Sequence, residues 1–83
     1  MMDAHEFNKL SLMWKIENLS KGIFLMDYLT DDYYIKLYNL NSFYVEVFYD
    51  DSTHQISYIR AFKSTQYLQH YLNWLTVSVD IDL

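Results

Sequence analysis

The chain has 83 residues and a mass of 10.1 kDa, room for a single small domain over residues 1–83 and not for two. Scaling laws give a folded surface of roughly 5,300 Å² against roughly 14,600 Å² when extended, so the core is thin and a partner covering apolar surface would help it. With 52% hydrophobic residues and 19% aromatic ones the chain is too rich in core-formers for intrinsic disorder. The absence of Cys excludes disulfides, thiolate metal sites and thiol nucleophiles, and one Gly with no Pro leaves nothing for a phosphate-cradling loop. A net charge of -5 opposes phosphate backbones and steers the chain toward basic partners. Two acidic residues, Asp3 and Glu6, stand where a signal peptide wants basic ones, and no apolar run approaches a bilayer span. The expected setting is cytoplasmic, with no membrane partner.

Asp3 followed by Glu6 reads as a helix N-cap with an acid at N3. Phe7, Leu10 and Trp14 then recur at i, i+3 and i+7, with Met13 at the edge of the stripe. One helix is expected from here to the breakers Asn18, Ser20 and Gly22, with Trp14 in the core and Asn8 on the polar side. Residues 23–29 read as a second short helix ending at Thr30, Asp31 and Asp32.

After Asp32 the period becomes two. Tyr33, Ile35 and Leu37 alternate with Tyr34, Lys36 and Tyr38, and a second run carries Phe43, Val45, Val47 and Tyr49 against Tyr44, Glu46 and Phe48. A third, over residues 55–63, alternates Ser57, Ile59 and Ala61 with Ile56, Tyr58, Arg60 and Phe62. A first hairpin centred on Asn41, which tolerates positive φ, pairs Ile35 with Val47, Leu37 with Val45, and Lys36 with Glu46. A second, centred on Ser52, pairs Val45 with Ile59 and Tyr44 with Arg60. Ser64 or Thr65 caps a last helix bearing Leu68, Tyr71, Leu72 and Leu75, and residues 76–83 alternate as an edge strand. The expectation is an α+β two-layer sandwich: N-terminal helix, short second helix, three-stranded antiparallel meander, C-terminal helix and a fourth edge strand.

This register puts Ile35, Leu37, Phe43, Val45, Val47, Ile59 and Ala61 under the helices. The reverse face then carries Tyr34, Lys36, Tyr38, Tyr44, Glu46, Phe48, Ile56, Tyr58, Arg60 and Phe62. Such a side is ordinarily Thr, Lys, Glu and Ser, whereas rings with polar tips are what interfaces enrich. The ten residues form the candidate interaction face, with a protein partner, a second copy or another chain, and a homodimer as one form. Its Lys36, Glu46 and Arg60 read as ion pairs. His5, His54 and His70 lack metal-ligand spacing, and the acids around residues 50–54, with Asp31, Asp32, Asp80 and Asp82, read as solvated turns or edges. No catalytic residue, metal or cofactor is expected. Two further readings are an acidic inhibitor or immunity-type protein that occludes a basic effector, and a single-strand platform in which Tyr34, Tyr44 and Tyr58 stack bases beside Lys36 and Arg60.

Overall fold

The computed structural model describes residues 2–63. They form α1 (Ala4–Asn8), α2 (Leu12–Leu19) and four strands, β1 (Ile23–Leu29), β2 (Tyr33–Leu40), β3 (Phe43–Asp50) and β4 (Ile56–Phe62). The strands make an antiparallel meander in the order β1-β2-β3-β4, and the fold is α+β. The expected C-terminal helix and edge strand lie outside the described residues.

α1 opens on a full capping box: the Glu6 amide donates to Asp3 Oδ1 at 2.8 Å and the Asp3 amide donates to Glu6 Oε1 at 3.1 Å. The single N-terminal helix is a correction, because it breaks after Asn8. Lys9 turns onto the Glu6 and Phe7 carbonyls, Leu10 onto Phe7, and extended Ser11 restarts the helix by accepting from the Trp14 amide. The apolar stripe is thereby divided. Phe7 is fully buried, whereas Trp14 is 57% and Met13 74% exposed, so Trp14 is not core.

The expected helix over residues 23–29 is also corrected: it is strand β1, paired with β2. Phe24 faces Tyr38 and Met26 faces Leu37, which leaves Leu25 as the extra residue of a bulge. The preceding Gly22 runs against β2, where a Cβ would meet the Asn39 carbonyl oxygen at 3.1 Å and that of Leu19 at 3.3 Å. Its lack of a side chain permits this close approach.

Asn41 takes a left-handed φ of 57°, as expected, but the hairpin is tighter than one centred on it. Leu40 pairs with Phe43 across a two-residue loop, so Ile35 faces Phe48, Lys36 faces Val47, Leu37 faces Glu46 and Tyr38 faces Val45. A slip of one residue exchanges the two sides of β2. The second hairpin shifts by two, which keeps β4's faces but changes partners: Tyr44 with Phe62, Val45 with Ala61, Glu46 with Arg60, Val47 with Ile59 and Phe48 with Tyr58. A second bulge after Phe48 carries Ile56 to the other side, opposite Tyr49.

The main core lies between the helices and the sheet: Phe7, Leu40, Phe43, Val45, Val47, Ile59 and Ala61, with Phe7 and Phe43 ring centroids 5.7 Å apart. A smaller cluster on the reverse face joins Leu37 and Phe62 with Met26, Tyr28 and Tyr44. Asn8 secures the helical layer to the sheet margin. Its Nδ2 donates to the Ala61 carbonyl at 2.9 Å, and its Oδ1 accepts from the Ala61 amide at 2.8 Å. The side-chain amide acts as a strand residue would, and Lys15 Nζ donates to the Ile59 carbonyl at 3.4 Å beside it. Asn8→Ala removes both Asn8 bonds and lowers unfolding free energy by about 2 kcal/mol in urea titration, at about 1 kcal/mol each. An unchanged midpoint defeats this reading.

Candidate interaction surface

Tyr44, Glu46, Phe48, Tyr58, Arg60 and Phe62 share the reverse face as expected, but Tyr34, Lys36, Tyr38 and Ile56 lie on the helix side. Ile35 and Leu37 replace them on the reverse face, where both are buried. The cause is the two-residue loop for β2 and the bulge for Ile56. Tyr34 and Lys36 are thus across the sheet from Tyr44, Tyr58 and Arg60, and the base-stacking platform loses its geometry.

The reverse-face rings satisfy one another. Phe48 and Tyr58 stack at 4.2 Å with planes 16° apart, Tyr33 meets both edge-on, and Tyr44 stacks on Phe62 at 5.7 Å. Arg60 donates from Nε and Nη2 to Glu46 Oε1 at 3.1 and 2.7 Å, and its guanidinium lies 5.6 Å from the Phe48 ring centre. Arg60, not Lys36, is thus the cation on Glu46 among these contacts. Glu46, Phe48 and Phe62 are buried, and Tyr58 is the large reverse-face ring most open to solvent. A broad open ring platform is not what these residues make.

On the helix side, Lys36 Nζ sits over the Tyr34 and Tyr49 rings at 5.8 and 5.3 Å. The Tyr34 hydroxyl donates to Asp27 Oδ2, and that bond, ahead of desolvation, raises the Tyr34 pKa above its ordinary value of 10.0. Leu29, Tyr34, Lys36, Tyr49, Asp51 and His54 line an open cleft of about 370 Å³ there.

The turns after β1 and β3 meet at one end of the sheet, where the Asp51 amide donates to the Asp32 carbonyl. This gathers Asp31, Asp32, Asp50 and Asp51 around Tyr33 and Ser52. Asp50 Oδ1 is committed to the loop: it accepts from the Ser52 hydroxyl at 2.6 Å and from the Ser52 and Thr53 amides at 2.9 and 3.0 Å. The Ser52 hydroxyl first, then these amides, holds the Asp50 pKa below its usual 3.8. These bonds strengthen the charged form, so their contribution is present above the unfolded carboxyl's pKa and fades as pH falls through the lower folded one. An NMR titration should place the Asp50 carboxyl midpoint below 3.8, and Ser52→Ala should move it upward. A midpoint at or above that value in the wild-type chain counts against the geometry. Among the described residues no group of three or more His, Asp or Glu is placed to hold a metal ion.

Among the described residues, most of the exposed large apolar side chains lie elsewhere, and the sequence reading missed them. No residue of α2 is buried. Lys15 and Asn18 take the half-sheltered side with Leu19, while Leu12, Met13, Trp14 and Ile16 are exposed at 47%, 74%, 57% and 43%. At the start of β1, Ile23, Phe24 and Leu25 are exposed at 65%, 50% and 45%. The turn Ser20-Lys21-Gly22 joins the two sets. The signal for this surface was Ser11, a second helix cap that separates Leu12 and the residues after it from the Phe7 stripe.

No family model, curated protein or solved structure significantly matches this chain. Among the described residues, no helix is long and apolar enough to cross a membrane.

Proposed function

We propose that the chain is a small, acidic, non-catalytic protein-interaction module of the cytoplasm, docking protein through the outward side of α2 and the start of β1. The observation that carries this reading is the inversion of α2, which turns Lys15 and Asn18 inward and leaves Leu12, Met13, Trp14 and Ile16 in water. Phe24, at the start of β1, is exposed on the helix side of the sheet, whereas Ile23 pairs with Asn39 on the reverse face. Tyr58 and Arg60 remain as a narrower accessory contact. Oxidative footprinting tests the reading: Met13 and Trp14 should oxidise severalfold more slowly in a native extract than in the purified chain diluted to nanomolar concentration. Equal rates in the two defeat it.

A second reading, an acidic inhibitor or immunity-type protein of a basic effector, is favoured by the gathering of Asp31, Asp32, Asp50 and Asp51 at one end of the sheet. Capture of a basic partner should then weaken as salt rises, and salt-insensitive capture argues against it.

A further inference from the structure

We infer that α1 is a guard on the outer edge of β4: Asn8 stands there in place of a strand and keeps β4 from pairing with β4 of a second copy. This edge shares no residue with the α2 docking surface, so the device stands apart from that reading. In an antiparallel sheet, alternate residues of an outer strand turn their amide and carbonyl away from the neighbouring strand. Ala61 is such a residue, since both of its backbone groups go to Asn8. The Ile59 carbonyl, two positions earlier, goes to Lys15 Nζ at 3.4 Å. Left open, groups of this kind are a template for another strand. The run Ile56–Phe62 suits that use, because β-branched and aromatic residues dominate it and no Pro or Gly interrupts it.

Asn8 closes the edge in kind. A side-chain amide carries a carbonyl oxygen and N–H donors, as a peptide group does. Its two bonds to Ala61, at 2.9 and 2.8 Å, are the pair that a facing strand residue would exchange. The break between α1 and α2 fixes its place: Asn8 ends α1 beside the fully buried Phe7, and Lys9 turns back onto the Glu6 and Phe7 carbonyls. The opposite margin of the sheet is blunted by other means, the Leu25 bulge in β1. A strand edge is self-complementary about a two-fold axis, so β4 of a second copy offers the same backbone groups in antiparallel order. The guard is also releasable, because α1 has five residues and does not persist apart from its tertiary contacts.

Hydrogen exchange at the Ala61 amide, followed against concentration in the full chain, tests this. In the wild-type chain that amide should be protected equally at about 5 µM and about 500 µM. In Asn8→Ala it should exchange at least about tenfold faster at the lower concentration and regain its protection at the higher one. Sedimentation of Asn8→Ala at the higher concentration should show a species larger than that of the wild-type chain. Leu40→Ala is the control for lost stability: it opens the buried core but leaves Asn8 in place, and should sediment as the wild-type chain does. Exchange at Ala61 that ignores concentration in Asn8→Ala, or equal association of Leu40→Ala, overturns the inference. Unfolding of Asn8→Ala by circular dichroism overturns it too, since Asn8 would then hold up the fold instead of guarding an edge.

Discussion

Phe7→Ala should lower the free energy of unfolding by about 3–5 kcal/mol, the largest single loss expected from any side chain of the helical layer. Phe7 is 0% exposed and sits against Phe43, itself 0% exposed, with Val45, Val47, Ile59 and Ala61 in the same cluster. It is the buried residue of α1, a helix of five residues that is too short to persist without tertiary contact. Removing the ring opens a cavity beneath α1 and releases the segment that positions Asn8 over the β4 edge. At about 0.05–0.15 kcal/mol per residue, total stability for a chain this size is about 4–12 kcal/mol. The variant should therefore be partly unfolded at 37 °C, as urea titration and loss of near-ultraviolet dichroism would register. A loss below about 1 kcal/mol would mean that α1 is not packed as described.

Arg60→Met should cost about 2–3 kcal/mol, although Arg60 is 41% exposed. The cost arises at Glu46, whose side chain is 3% exposed and which accepts from Arg60 twice. Removing one partner of a sheltered pair leaves a carboxylate poorly compensated, and the remaining exposure of Arg60 moderates the effect below that of a fully buried pair. Glu46 also makes further contacts, so the charge is not stranded altogether. The companion Glu46→Leu/Arg60→Met removes the charge with its partner and should recover to within about 1 kcal/mol of the wild-type chain, because an apolar pair fits beside Phe48 and Leu37. If the single and double variants are equally stable, the ion pair is not what holds these two strands at this point.

Residues whose local signals agreed with their tertiary setting were legible from sequence. The Asp3 and Glu6 cap, the left-handed Asn41, and the alternation of β3 and of β4 from Tyr58 to Phe62 all follow from short-range chemistry. β1 was not legible, because the Leu25 bulge breaks its alternation and residues 23–29 are apolar on both sides. The division of the N-terminal helix was masked by Phe7, Leu10 and Trp14, which sustain helical spacing across a chain reversal. The same break decides the candidate surface: unbroken helical spacing places Trp14 in the core, whereas the restart at Ser11 leaves it 57% exposed.

From sequence alone came the class of fold, the two periods, the three strands between Tyr33 and Phe62, the acidity and the exclusion of thiol and Gly-loop chemistry. Which side of the sheet each residue of β2 occupies was decided only in three dimensions. Its two sets, Tyr34, Lys36 and Tyr38 against Ile35 and Leu37, are both able to pack against rings, so hydrophobic pattern states no preference between them. Leu40 pairing directly with Phe43 settled the matter, since in a period-two element one residue of loop length exchanges every side chain. The same dependence on long-range contact turned α2 over: Ser11 freed it from the Phe7 stripe, and its anchoring through Lys15 to β4 left Met13 and Trp14 facing water.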